Sequence, residues 1–303
     1  MGQTNQLTVL LSILALSSAC ASAGRKAAWE TEGGAGVGTK TSTAGATAML
    51  EAASAAWAQR DDKAQLNMAI EKWEAAAKAD PKNPEPMVWL ARAYYFLVDG
   101  HLNNEEPENL ETLRLELHQK AVDWGERALL LLDPKFEETM RAGGEFEKAI
   151  SLIEKPAVPA AYWYCINLSR FANAKGLSAR LFYKDRVAAA MRRIKEIDPS
   201  YFYAGPDRYF GAFYSALPSI AGKDLKKSEE HFKAAQEVAS EYLSTKAVQA
   251  EFLAKELDDR EMYERLLGEV MAGGDTENPD IAPENRAAKR AAQRMLKLAD
   301  DIF

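Results

Sequence analysis

Cysteine and histidine are scarce in this chain, which has two cysteines and three histidines among 303 residues. No cysteine pair stands at metal-ligand spacing, and no histidine has a second one four residues away, so the common zinc motifs are missing. We expect Cys165, in an apolar helical stretch, to be a small buried side chain. The sequence therefore predicts no metal site, and His101, His118 and His231 are expected on solvated surfaces.

Catalytic motifs are missing too. The chain has no Gly-x-Ser-x-Gly elbow for a nucleophile and no His-Glu-x-x-His pair. The glycine-rich stretch 33–41 resembles a phosphate-binding loop only superficially, because Thr39 separates the last glycine from Lys40 and no strand precedes it. A linker is favoured there. We therefore predict that the chain is not an enzyme, has no catalytic residues and needs no cofactor.

An excess of positive charge is also missing, since the formal net charge is -7. Proteins that bind nucleic acids normally present a basic surface to the phosphates, so this balance argues against a nucleic-acid partner. At 47% hydrophobic residues, a chain of this length can bury a sizeable core without disulfides.

No hydrophobic run reaches the roughly 20 residues that a membrane-spanning helix needs. The apolar run Leu7–Leu16 has the length and place of a secretory signal. The Leu-Ser-Ser-Ala-Cys sequence at 16–20 is similar to a bacterial lipoprotein cleavage box, with Cys20 as the lipidated residue. Ordinary cleavage after Ala21 or Ala23 is the alternative. We predict a signal peptide and lipobox over 1–23, and hence an exported protein.

Large apolar residues are rare between residues 24 and 47, where glycine, alanine and threonine dominate. Such a composition is typical of a flexible linker. The sequence therefore predicts a tether over 24–47 and a folded helical domain over 48–303.

An apolar spacing that recurs four times marks the folded part. Apolar or small residues at i, i+4 and i+7 lie on one face of an amphipathic helix. Three of the four triplets precede an Asp-Pro pair, and proline cannot continue a helix because it has no backbone N–H. The triplets are Ala69, Trp73, Ala76; Ala121, Gly125, Ala128; Val187, Met191, Ile194; and Ser228, Phe232, Ala235. The pattern predicts an all-α fold of helix pairs.

These helix pairs resemble tetratricopeptide repeats, whose unit is two antiparallel helices in about 34 residues. The triplets begin at residues 69, 121, 187 and 228, so no single period holds. We predict an irregular tetratricopeptide-like stack, an α-solenoid or superhelical bundle, with a capping helix at 283–302. Insertions in such arrays commonly build a binding face.

Aromatic residues are concentrated between Tyr162 and Tyr214, where thirteen of the chain's 28 aromatics occur. They are either core residues, or some of them line a small-molecule site in which tyrosine hydroxyls and a few charged groups orient the ligand. For the second alternative the candidate ligand-binding residues are Trp163, Tyr164, Tyr183, Lys184, Arg208, Tyr209 and Phe213.

The same interval carries a family resemblance. The segments at 158–164, 181–187 and 205–214, together with 94–101 and 282–286, resemble the T-component proteins associated with TRAP transporters, the tripartite ATP-independent periplasmic class. The resemblance implies a periplasmic, lipid-anchored protein of irregular tetratricopeptide-like helix pairs. It also implies a homotrimer that docks the transporter's solute-binding protein and has a channel suited to small hydrophobic ligands.

Two functions therefore compete. The first is a non-enzymatic accessory of periplasmic solute uptake that docks a solute-binding protein and carries a small hydrophobic ligand. The second is a lipoprotein scaffold for envelope assembly, which binds peptides on the concave face of its helix stack. An enclosed aromatic tunnel would favour the first, and an open groove lined by rows of Asn, Lys and Arg would favour the second.

Overall fold

The computed structural model describes residues 24–31, 43–274, 278 and 280–303. Every regular element in these ranges is helical, so the all-α prediction is confirmed. The predicted signal segment 1–23 with Cys20 lies outside the described residues, as does the glycine-rich stretch 33–41. No helix in the described ranges combines the length and the apolar character that crossing a bilayer requires.

The helices follow one another with short connections. Apart from a single turn at Asn103–Glu105, the α-helices are α1 Thr43–Ala58, α2 Lys63–Ala79, α3 Glu85–Phe96, α4 Leu110–Leu132, α5 Pro134–Arg141, α6 Phe146–Ile150, α7 Val158–Lys175, α8 Leu177–Ile197, α9 Tyr201–Ala216, α10 Leu225–Val238, α11 Ser244–Gln249, α12 Arg260–Ala272, α13 Ala282–Lys297 and α14 Ala299–Ile302. Two π-helical segments, Leu97–Leu102 and Ala250–Ala254, extend α3 and α11.

The Asp-Pro pairs explain several helix boundaries. At the second pair, Asp133 follows the last residue of α4, and its carboxylate accepts a hydrogen bond of 2.8 Å from the backbone N–H of Phe136. Pro134 then occupies the first turn of α5, where a missing N–H costs nothing. The pair therefore ends one helix and begins the next.

Consecutive helices pack against each other from α1 to α4, and α4 then packs on α7, which continues to α8, α9 and α10. Helices α4 and α7 approach closely at Gly125 of α4, because a Cβ there would lie 2.9 Å from Cα of Tyr164. The small residue at this position of the second triplet thus allows a close helix contact, as expected. A tetratricopeptide-like superhelical geometry for these pairs stays a prediction.

The predicted tether 24–47 differs from the structure at both ends. Trp29 is only 6% exposed, and its ring packs edge-on against Phe136 with centroids 5.7 Å apart. Arg25 pairs with buried Glu126 of α4. At the other end, α1 already begins at Thr43. One large aromatic side chain buries enough area to fix a segment whose average composition is that of a linker.

The C-terminal helix α13 closes back on the first helices. Glu284 is 6% exposed and accepts hydrogen bonds from Arg60, at the end of α1, and from Arg92 of α3. Units of an open solenoid contact only their neighbours. The predicted capping helix is present as α13 and the short α14, and it also contacts the start of the domain.

Candidate functional site

Helix α9 begins with a turn of opposite hand. Phe202, Tyr203 and Ala204 all adopt left-handed backbone angles, with φ of 46°, 57° and 55°. Each such residue costs roughly 1–2 kcal/mol when it carries a Cβ. Strain of this kind persists only where surrounding contacts hold it, and it concentrates at functional sites.

Arg208 of α9 holds the left-handed turn from inside the fold. Its guanidinium donates hydrogen bonds to the carbonyl of Tyr203 at 2.8 Å and to the carbonyl of Phe202 at 3.2 Å. It also donates to the hydroxyl of Tyr162, on α7, at 3.1 Å. Gly205 allows this arrangement, because a Cβ at that position would lie 2.4 Å from the Tyr162 hydroxyl.

A cavity of about 150 Å³ opens beside this turn, between α7, α8 and α9, and we call it the aromatic cavity. Its deep wall contains buried rings, among them Trp163 and Tyr183, each 2% exposed. Leu177 and Leu181 lie at its rim and are 52% and 41% exposed. Apolar side chains therefore line the path from the protein surface to the interior.

Six of the seven residues predicted from the sequence line the aromatic cavity: Trp163, Tyr183, Lys184, Arg208, Tyr209 and Phe213. The seventh, Tyr164, does not. It is fully buried on the opposite side of α7, where its ring lies against Trp29 and Phe146 with centroids 6.2 and 5.9 Å away. Tyr164 is therefore a core residue and not part of the cavity wall.

The cavity also contains residues that the sequence did not single out. Tyr95 of α3 and Arg170 of α7 line it, as do Val248 and Phe252 from the segment around the second π-helix. These positions are far apart in sequence and carry no shared motif. Phe202 also lines the cavity. The only sequence signal for it was its place in the aromatic interval between Tyr162 and Tyr214.

A second cavity of about 380 Å³ adjoins the first and shares Tyr95, Arg170, Asn173, Val248 and Phe252 with it. Its remaining lining is more polar. Arg170 forms an ion pair of 2.8 Å with Asp99, which lines only the second cavity. The boundary between the two cavities is therefore marked by a charged pair.

Two of the three histidines differ from their expected solvated positions. His101 and His118 are 7% and 2% exposed. His118 Nδ1 lies 2.9 Å from Oδ1 of Asn167, whose amide nitrogen donates to backbone carbonyls of Ala91 and Trp163. Burial lowers the pKa of His118, which favours the neutral ring. These side chains satisfy interior polar groups, which explains why their burial is tolerated.

The tyrosines around the aromatic cavity are kept neutral. Burial raises the pKa of Tyr162, although nearby Arg208 acts in the opposite direction. Burial likewise raises the pKa of Tyr242 to about 12 and that of Tyr209 well above its usual value. None of these phenols is therefore poised to exchange a proton near neutral pH. Their hydroxyls can orient a ligand by hydrogen bonding.

Metal-ligating side chains do not converge in the described part of the chain, where no group of three or more His, Cys, Asp or Glu could hold an ion. Burial raises the pKa of the Cys165 thiol, so this cysteine is not an activated nucleophile. An aromatic cavity with a few polar groups in its wall is the usual geometry of a small-molecule binding site.

Comparison with known families identifies the class of this protein. The family model described as TRAP transporter T-component matches residues 63–303, and the chain belongs to that family. The resemblance noted from the sequence is thereby confirmed. Membership indicates an accessory role in a TRAP transporter system, and the family is not known as enzymatic. A search of curated protein sequences finds no match to the chain.

Proposed function

We propose that this protein is a non-enzymatic periplasmic accessory of a TRAP-type uptake system, which carries a small apolar ligand and docks the system's solute-binding protein. The aromatic cavity is the observation that carries the proposal, and the family match supplies the transporter context. An apolar pocket with a few convergent polar groups is the usual make-up of a small-molecule site.

The dimensions of the cavity support a ligand of modest size. A dry apolar cavity of about 150 Å³ is large enough for a benzene-sized molecule. The aromatic cavity has a comparable volume and is walled by Tyr, Trp and Phe rings. A peptide scaffold would instead need an open groove with rows of polar side chains, so the lining supports the carrier over the scaffold.

Docking is tested by cross-linking in the intact envelope, followed by purification of the tagged protein. We expect a solute-binding protein of the TRAP class among the captured partners. A cavity-filling variant, Ala212→Leu, provides the control, because Ala212 lines the aromatic cavity. It should still capture the partner while losing ligand. Repeated recovery without any solute-binding protein would contradict the docking function.

The membrane anchor and the oligomer are further parts of the proposal. We propose that Cys20 carries lipid and that the protein forms a homotrimer, as the resemblance to the family implies. Cys20→Ser should release the protein from membranes into the periplasmic fraction. A mature chain that begins at residue 22 or 24, without lipid, would contradict the anchor. Sedimentation of the released protein as a monomer would contradict the trimer.

A further inference from the structure

The aromatic cavity has a one-sided charge. Four basic residues line it, and no Asp or Glu does so among the described residues. The basic residues are Arg170, Arg180, Lys184 and Arg208. The chain as a whole contains 45 acidic and 38 basic residues, so a cavity with average composition would include carboxylates. Ion pairs with Asp99 and Asp185 compensate Arg170 and Lys184. The other two basic residues of the lining, Arg180 and Arg208, still favour a ligand that has a negative charge.

Several other arginines with little exposure in this fold have carboxylate partners. Arg60 and Arg92 both contact Glu284, and Arg25 pairs with Glu126. Arg170, the second arginine at the deep side of the cavity, pairs with Asp99. This is the usual arrangement, because an uncompensated charge in the interior loses its hydration without replacement.

Arg208 departs from that arrangement. It is 8% exposed, and its hydrogen-bond acceptors are two backbone carbonyls and the Tyr162 hydroxyl, all of them neutral. The ring of Tyr242 lies 4.5 Å from its guanidinium carbon and offers further, partial compensation. In the described residues no carboxylate forms an ion pair with it. These bonds involve only Nη1 and Nη2, so in the described residues Nε–H has no acceptor and can take one from a ligand.

We infer that the aromatic cavity takes an amphiphilic anion, whose apolar body packs on the rings and whose acidic head group pairs with Arg208. This inference rests on the proposed carrier function and specifies the ligand class. A guanidinium N–H without an acceptor can donate a charge-assisted hydrogen bond to a carboxylate or a related oxyanion. The left-handed turn at 202–204 holds the guanidinium in place before the ligand arrives.

A charge series tests the inference on the wild-type chain. The mature protein is titrated by calorimetry with octanoate, octan-1-ol and octylammonium. These ligands have the same chain length, but the first is negatively charged, the second is neutral and the third is positively charged. We expect octanoate to bind at least about tenfold more tightly than octan-1-ol, the gain typical of a charge-assisted hydrogen bond. Octylammonium should bind most weakly.

Variants locate the head group. Arg208→Met should reduce the preference for octanoate over octan-1-ol to within about twofold, whereas Arg208→Lys, which keeps the charge, should retain part of it. Lys195→Met is the matched control. Lys195 pairs with Asp207, next to Arg208 in sequence, but does not line the cavity. It should leave the preference unchanged.

The outcomes separate this inference from the proposed function. Equal binding of octanoate and octan-1-ol to the wild type would contradict an anionic ligand. It would leave the proposed carrier of an apolar ligand intact. Failure of all three ligands to bind would count against the carrier itself. If Arg208→Met does not fold, the wild-type series still decides between a charged and a neutral ligand. A preference that survives in folded Arg208→Met would overturn the assignment to Arg208.

Discussion

Arg208 links two features of the site, the strained turn and the cavity wall. Its hydrogen bonds to Phe202 and Tyr203 stabilise backbone angles that cost several kcal/mol in the absence of support. The same side chain is part of the cavity lining. Residues that maintain the turn therefore also determine the shape of the site. A substitution at Gly205 is expected to disturb both the turn and the site.

Gly205→Ala is expected to destabilise the fold by about 1–3 kcal/mol, because the new methyl group would overlap the Tyr162 hydroxyl. The measurement is the free energy of unfolding from denaturant titration. Gly268→Ala is the matched control, since a Cβ there meets no atom within 4 Å and the residue lies inside helix α12. That variant should gain about 0.5–1 kcal/mol. Equal effects at the two glycines would contradict the account.

Helices were predictable from the sequence because their signals are local. Apolar spacing and the Asp-Pro pairs act within a few residues, and they correctly indicated α2, α4 and α8. The turn at 202–204 was not predictable, because Arg208 and Tyr162 impose it through tertiary contacts. Likewise, the composition of 24–31 indicated a linker, and only the pocket formed by Phe136, Phe146 and Tyr164 explains why Trp29 is buried.

The segment around Trp29 contributes to stability in spite of its composition. We expect Trp29→Ala to lower the free energy of unfolding by about 3–5 kcal/mol, as for other buried tryptophans. Lys26→Ala, at an exposed position of the same segment, should change it by less than about 0.5 kcal/mol. Thermal denaturation monitored by circular dichroism would show the difference. A Trp29→Ala protein as stable as the wild type would restore the tether prediction for these residues.

The contact between α13 and the α1–α2 turn should depend on pH. Burial acts to raise the pKa of Asp61, but hydrogen bonds from Arg286 and Arg290 outweigh it and hold that pKa below its usual value. A carboxylate with a lowered pKa in the folded state stabilises the fold above its unfolded pKa, and this contribution is lost as the pH falls through the folded pKa.

Asp61→Asn is therefore expected to cost about 1 kcal/mol at pH 7, a typical value for a half-exposed ion pair. The difference from wild type should shrink when the pH falls below the ordinary aspartate pKa of about 3.9. Denaturant titrations at several pH values measure this. Asp258→Asn, at an exposed left-handed position that asparagine tolerates, is the control. A cost for Asp61→Asn that does not change with pH would exclude the charge as its cause.

The whole molecule combines a helical frame with one site where the repeat pattern is interrupted. The longest gap between triplets, from Ala121 to Val187, contains the start of the aromatic interval, and α7, α8 and α9 bring that interval together. Six of the seven candidate residues could be chosen from the density of aromatic residues and the charged residues among them. Tyr95, Val248 and Phe252 could not, since only the closure of the chain places them at the same cavity.

The central claim is that the aromatic cavity carries a small molecule in the cell. The most direct test is mass spectrometry of protein purified from its own envelope. Spectra are recorded under native and then under denaturing conditions. The difference between the two masses gives the non-covalent ligand, because covalent lipid contributes to both. We predict a non-covalent mass that accompanies the wild-type chain and is lost in the folded Ala212→Leu variant. Identical native and denatured masses for each wild-type protomer, or the same bound mass in the filled variant, would contradict the claim.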